Sequence, residues 1–186
     1  MAGNAVVNEQ GRRVLRRRSW PVLSWGSVAI IWAIFPLGVL SSLTHQNHRD
    51  IWVVAAVFCA VTAVLRRIGS CKVILLCDSL TVENPLVTYE VPYGTVRAVE
   101  AAAAGGLEVE APQGEIIHPF CFGGSLVDAY FRSTTRAAAE VQDTVNRRRH
   151  RPGAQGEVTR RFRRCWSDAL VPLAVIFGTV SMFVSP

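Results

Sequence analysis

The chain has 186 residues, half of them apolar, and 20 basic against 14 acidic side chains give a net charge of +6. That length suits one compact domain plus membrane segments, and the apolar share exceeds what one small soluble core needs. Five scattered cysteines, none in a C-x-x-C pair and none at ligand spacing from a His, exclude a zinc site and suit a reducing cytoplasm.

The charge is unevenly placed. Residues 1–69 carry +6, residues 70–146 carry −6 and residues 147–186 carry +6. The basic character therefore belongs to the flanks. Nineteen of the basic residues are Arg, and Lys72 is the single Lys.

Met1 to Gln10 is small and polar and is expected to be disordered. Arg12, Arg13, Arg16, Arg17 and Arg18 form a basic block directly before an apolar run. That order reads as a topology signal lying on the membrane surface. No nucleic-acid recognition fold accompanies the block, which excludes nucleic acid as the partner. The apolar run is too long for a twin-arginine export signal, and no A-x-A site follows it.

Trp20 to Leu43 holds 24 residues without a charge. As a helix it would reach about 36 Å, enough to cross the hydrocarbon core. Trp20 and Trp25 stand near the basic end, as interfacial anchors do. In the loop Thr44–Asp50, His45 and His48 lack a third ligand and read as solvated. Ile51 to Leu65 is a second apolar run of 15 residues, shorter than a span needs. Arg66 and Arg67 extend it by snorkelling. The two runs read as a transmembrane hairpin over residues 20–68.

From Lys72 to Phe122 the period changes to two. Leu80 and Val82, then Val87, Tyr89 and Val91, then Leu107, Val109 and Ala111 alternate with polar residues. Each set places one face on a core and the other in water. Asp78-Ser79, Asn84-Pro85, Pro92-Tyr93-Gly94, Gly105-Gly106 and Pro112-Gln113-Gly114 punctuate the runs. The spacing predicts an antiparallel meander. Ser125 with Asp128 is a capping-box pattern. Val127, Tyr130, Phe131, Thr134, Ala138, Val141 and Val145 form the apolar stripe of a closing helix.

The runs Asp78–Leu86 and Val91–Val96, followed by Gly105-Gly106-Leu107-Glu108-Val109, resemble the bacterial PH-like domains of actinobacterial membrane proteins. The likeness is to the low-molecular-weight protein antigen type. It covers about Cys71 to Tyr130, with Ser79 where a Gly is common and Tyr93 where a Trp is common. It implies a β sandwich closed by a C-terminal amphipathic helix.

Arg147, Arg148, Arg149 and Arg151 end that helix, and Pro152 to Gly156 reads as a linker. Arg160, Arg161, Arg163 and Arg164 form a second basic block, and Ala169 to Val184 is an apolar run of 16 residues. Asp168 stands where a cap would.

The fold class is thus α+β, with a PH-like meander anchored by two N-terminal and one C-terminal transmembrane helices. The segments are a tail (1–19), a hairpin (20–68), a PH-like domain (69–150), a basic linker (151–165) and a last span (166–186). Membrane-surface contact falls to Arg12, Arg13, Arg16, Arg17, Arg18, Arg66, Arg67, Arg160, Arg161, Arg163 and Arg164. Asp78, His118, Cys121 and Asp128 are the candidate catalytic groups, but no triad or phosphate-loop spacing frames them. The reading is a non-enzymatic, multi-pass membrane protein without metal or cofactor. It presents a cytoplasmic interaction or scaffolding module to a protein partner, with its C-terminus outside. Two alternatives stand beside it: a sensor of anionic lipid, and an accessory subunit of a membrane complex or transporter.

Overall fold

The computed structural model describes residues 6–7, 13–16, 19–44, 48–102, 106–123 and 133–184. The chain is α+β, with antiparallel sheets and three helices long and apolar enough to cross a membrane. It divides into two compact units. One joins Met1–Trp20 to Cys71–Arg163, and the other joins Pro21–Ser70 to Arg164–Pro186.

The first unit is built on two sheets. Six strands pair antiparallel in the order β1 (Val6–Val7), β2 (Arg13–Leu15), β3 (Lys72–Leu75), β4 (Ser79–Glu83), β5 (Val87–Pro92) and β9 (Thr159–Phe162). Three more, β6 (Ala98–Ala101), β7 (Leu107–Glu110) and β8 (Ile116–Ile117), make the second sheet. The alternation read from the sequence sets the register. Leu80 faces Val91 and Val82 faces Tyr89 across the β4–β5 pair, while Val99 faces Val109 across β6–β7. Leu80, Val82, Val91, Leu107 and Val109 are buried, and Tyr89 packs against them at the margin. Helix α3 (Ser133–Arg148) packs on β6 and β7 and buries Thr134, Ala137, Ala138, Val141 and Val145. These positions recur at the helical period. The expected cap Ser125–Asp128 and the stripe residues Val127, Tyr130 and Phe131 lie outside the described residues.

Two segments differ from the sequence reading. Met1–Gln10 reads as disordered, yet Val6–Val7 is a strand, and the basic block after it holds a second, Arg13–Leu15, with Leu15 opposite Val73. Residues 151–165 read as a basic linker, yet Thr159–Phe162 is a strand on β5, with Phe162 opposite Val87. All three strands are short, and β2 and β9 pair with strands distant in sequence.

The second unit contains α1 (Ser19–Thr44), α2 (His48–Gly69), a 3-10 turn (Trp166–Ala169) and α4 (Leu170–Phe183). The apolar spans are Trp20–Thr44, Arg49–Gly69 and Trp166–Phe183, of 25, 21 and 18 residues. The two later spans are longer than their apolar runs, because polar residues at their ends continue the helix or enter it through the 3-10 turn. Helices α1 and α2 run antiparallel. Ser24 Oγ donates to the Leu65 carbonyl at 3.0 Å, Trp32 Nε1 donates to Thr62 Oγ1 at 3.1 Å, and Phe35 meets Phe58 at 5.1 Å. Helix α4 packs on another face of α2, where the Trp52 and Phe177 rings lie 5.7 Å apart. Trp52, Ala56, Cys59 and Ala63 follow one stripe on that side of α2. Small residues along it let the backbones approach closely.

Candidate functional site

Charge on the sheets is arranged in three places. The first lies on the outer side of β3 and β4. Arg163 Nη2 pairs with Glu83 Oε2 at 2.9 Å, and Lys72 Nζ lies 3.4 Å from Glu83 Oε1. Arg163 Nη1 also donates to the Asn84 carbonyl at 3.3 Å, and the Arg163 backbone N–H donates to the Leu86 carbonyl at 3.0 Å. The Arg163 side chain is only 8% exposed. Placed among membrane-surface contacts by its sequence neighbours, it is instead taken out of reach of a surface by burial. It fastens the chain just after β9 onto the β4–β5 turn.

The same guanidinium lies 3.9 Å from the Cys71 sulfur. Burial pushes the Cys71 thiol up to about 11, against the opposing pull of Arg163. Burial raises the Cys121 thiol as well. Both thiols stay protonated at neutral pH and are poor nucleophiles.

The second place is the end of α3. Tyr93 is fully buried, and its hydroxyl donates to the Leu76 carbonyl at 2.9 Å. Arg148 Nη1 donates to the same carbonyl, and Arg149 Nη2 donates to the Val96 carbonyl at 2.8 Å. Burial first of all lifts the Tyr93 hydroxyl to about 12. The Gly94 N–H donates to the Ala154 carbonyl at 2.8 Å, and a Cβ on Gly94 would lie 2.8 Å from that oxygen. Only glycine permits the approach. Read in the sequence as the polar end of a helix, Arg148 and Arg149 hold two turns of the sheet unit.

The third place is the outward face of the small sheet. Glu100 stands directly opposite Glu108, and Ala98 opposite Glu110. Val99 and Val109, between them in sequence, are buried, so the glutamates face outward. His118 Nδ1 lies 3.6 Å from Glu108, and Arg97 lies 3.8 Å from Glu110. A like-charge pair directly across a ladder is destabilising.

The remaining arginines named from the sequence separate into distinct settings. Arg12, Arg17 and Arg18 lie outside the described residues. Arg13 pairs with Glu140 of α3 at 2.7 Å, and Arg16 is half-buried after β2. Arg160 and Arg161 are exposed on β9, with Arg160 over the Tyr89 ring at 5.8 Å. Arg164 is exposed. In the helical unit, Arg67 Nη1 meets Asp168 Oδ1 at 2.5 Å. The other Asp168 oxygen accepts the Cys165 N–H at 2.9 Å and caps the 3-10 turn. Arg66 lies over Trp25 at 4.0 Å and over Trp166 at 5.5 Å.

Among the described residues, no group of three or more His, Cys, Asp or Glu is placed to hold a metal ion. Asp78 lies beside Gly153, whose φ is +96°, and its own carbonyl accepts the Tyr93 N–H at 3.1 Å. Asp128 lies outside the described residues. No protein-family model, curated protein or solved structure matches this chain.

The charge split also changes once the strands are known. The Arg blocks flanking residues 70–146 supply β2 and β9, so the sheet unit holds sixteen basic against twelve acidic residues. Three of those acids, Glu100, Glu108 and Glu110, share the outward face of the small sheet, and the −6 of residues 70–146 does not describe the unit.

Proposed function

We propose that this chain is a multi-pass membrane protein whose sheet unit is a PH-like, non-catalytic module that docks a protein partner at the cytoplasmic membrane face. The resemblance to actinobacterial PH-like proteins supports the fold name. A β meander followed by a packed helix is the layout that resemblance implies. The Arg blocks next to the apolar spans support a cytoplasmic sheet unit.

The observation that carries docking is the outward face of β6 and β7. Glu100 and Glu108 are held side by side at a cost to folding. A face of that sign repels an anionic bilayer and attracts a basic protein surface. Photo-crosslinking from native membranes tests the reading. A photoreactive residue at Glu100 should capture a discrete partner, and Glu108→Lys should abolish the capture. Capture that is indifferent to Glu108→Lys would refute docking on this face. The excess of Arg on the sheet unit favours one second reading, in which the basic strands rest on anionic lipid.

A further inference from the structure

We propose that Arg66 is the centre of a binding site for the phosphate of an anionic phospholipid, walled by Trp25 and Trp166. The inference rests on the three apolar helices being embedded in a bilayer, and goes beyond the docking function of the sheets.

Arg66 and Arg67 are neighbours in the last turn of α2, yet their surroundings differ. Arg67 has a carboxylate, Asp168, at 2.5 Å. Among the described residues Arg66 has no carboxylate and no oxygen acceptor. Its Nε is buried without a hydrogen-bond partner. Its contacts are ring faces, Trp25 at 4.0 Å and Trp166 at 5.5 Å. Those faces attract the cation but accept none of its N–H groups in the geometry of an oxygen. A guanidinium carries five N–H donors in a rigid fork that matches phosphate. Leaving it unanswered at the end of an apolar helix is costly.

The place is specific as well as the chemistry. Each of the three apolar spans contributes one residue: Trp25 from the first, Arg66 from the second and Trp166 from the third. Trp25 and Trp166 are 55% and 62% exposed, so the walls of the site are open. Tryptophan settles at headgroup depth in a bilayer, which puts the Arg66 fork at the level of lipid phosphates. The nearby acid is already engaged by Arg67, so the ligand that balances Arg66 carries a net negative charge. Phosphatidylglycerol has that chemistry, whereas in phosphatidylcholine the choline cation offsets the phosphate.

The test uses the full chain in detergent micelles, with phosphatidylglycerol, phosphatidylcholine or inorganic phosphate added, and native mass spectrometry counts the bound molecules. The wild type should retain phosphatidylglycerol over phosphatidylcholine. Arg66→Gln should weaken that retention by about tenfold, as loss of a charge-assisted hydrogen bond does. Arg66→Lys keeps the charge without the fork and should fall between them, which guards against a variant that misfolds. Arg49→Gln, at an exposed Arg in the first turn of α2, should match the wild type. Equal retention by wild type and Arg66→Gln would overturn the site. Inorganic phosphate that binds at Arg66 and displaces the lipid would overturn the lipid assignment. Release of the chain from membranes by alkaline carbonate would instead remove the bilayer reading on which the site depends.

Discussion

Replacing Arg163 with Met removes one partner of a buried ion pair and leaves the other. Among the described residues, Glu83 then keeps Lys72 at 3.4 Å, and its side chain is 18% exposed. Removing one partner of a buried pair costs about 3–5 kcal/mol, much of it the unpaired charge left behind. The backbone bond from Arg163 to Leu86 survives the change, so the loss belongs to the side chain. Glu83→Gln should cost at least as much, because it takes the carboxylate from both Lys72 and Arg163. The double variant should cost less than the sum, since of the three charges only the half-exposed Lys72 is then left without its partner in the cluster. Arg161→Met, on the exposed side of β9, should stay within about 0.5 kcal/mol. Thermal unfolding of the full chain in micelles, followed by the β-sheet signal in circular dichroism, reads all four. A loss of this size lowers the midpoint on the order of 10 °C or more. If Arg163→Met and Arg161→Met melt together, the assignment of Arg163 to the sheet is wrong.

Other consequences are open to similar measurement. Leu107→Ala should cost about 2–5 kcal/mol and Glu108→Ala no more than about 0.5 kcal/mol, because the two share a strand and face opposite ways; equal losses would break the β7 register. Cys71 is raised from 9.0 to about 11 and Tyr93 from 10.0 to about 12, and in both the protonated form is the one folding favours. Their stabilisation is therefore complete below pH 9, where the unfolded groups are still protonated, and is lost as pH rises from about 9 to about 12. An alkaline titration of stability should show that loss, and Tyr93→Phe with Cys71→Ser should flatten it. A reporter active only outside the cell, fused after Pro186, should be active if the chain crosses three times with its N-terminus inside; a stably made but silent fusion would mean that the last helix does not cross.

Residues whose order is local were readable in advance. Leu80, Val82, Leu107 and Val109 announce their strands by alternation, and Ala138, Val141 and Val145 announce their helix face. Strands β2 and β9 were not readable. Arg13-Val14-Leu15 carries too few alternations to show a period, and its partner Val73 lies 58 positions away. Thr159–Phe162 carries two exposed Arg, so its composition resembles solvated chain, and only pairing with β5 orders it. The same blindness hid Arg163. In sequence it is one of four similar residues, and what distinguishes it is Glu83, 80 positions earlier. In the sequence Trp25 reads only as an aromatic residue near a basic end. Its convergence with Trp166 on Arg66 was not legible, because the three residues come from separate helices.

The strands contributed by the flanks also decide how the sheet unit must be handled. A fragment cut at Gly69 and Asn146, the boundaries that charge alone suggests, keeps −6 but discards β1, β2 and β9. It exposes both edges of the β3–β4–β5 core and removes Arg163 from Glu83. Failure of that fragment to bind an anionic bilayer would report on its charge and its damage together. The intact unit combines two surfaces of opposite sign. Exposed Arg160 and Arg161 lie on one sheet edge, and outward-facing Glu100, Glu108 and Glu110 on the other sheet. Attraction between exposed charges is screened within about 10 Å at 0.1 M salt, so each surface acts on what lies directly against it and not through the net charge of the whole. Basic strands toward lipid and an acidic face toward protein are therefore compatible on one module. Charge reversal on β7 separates them, because it changes protein capture and leaves the Arg of β9 untouched.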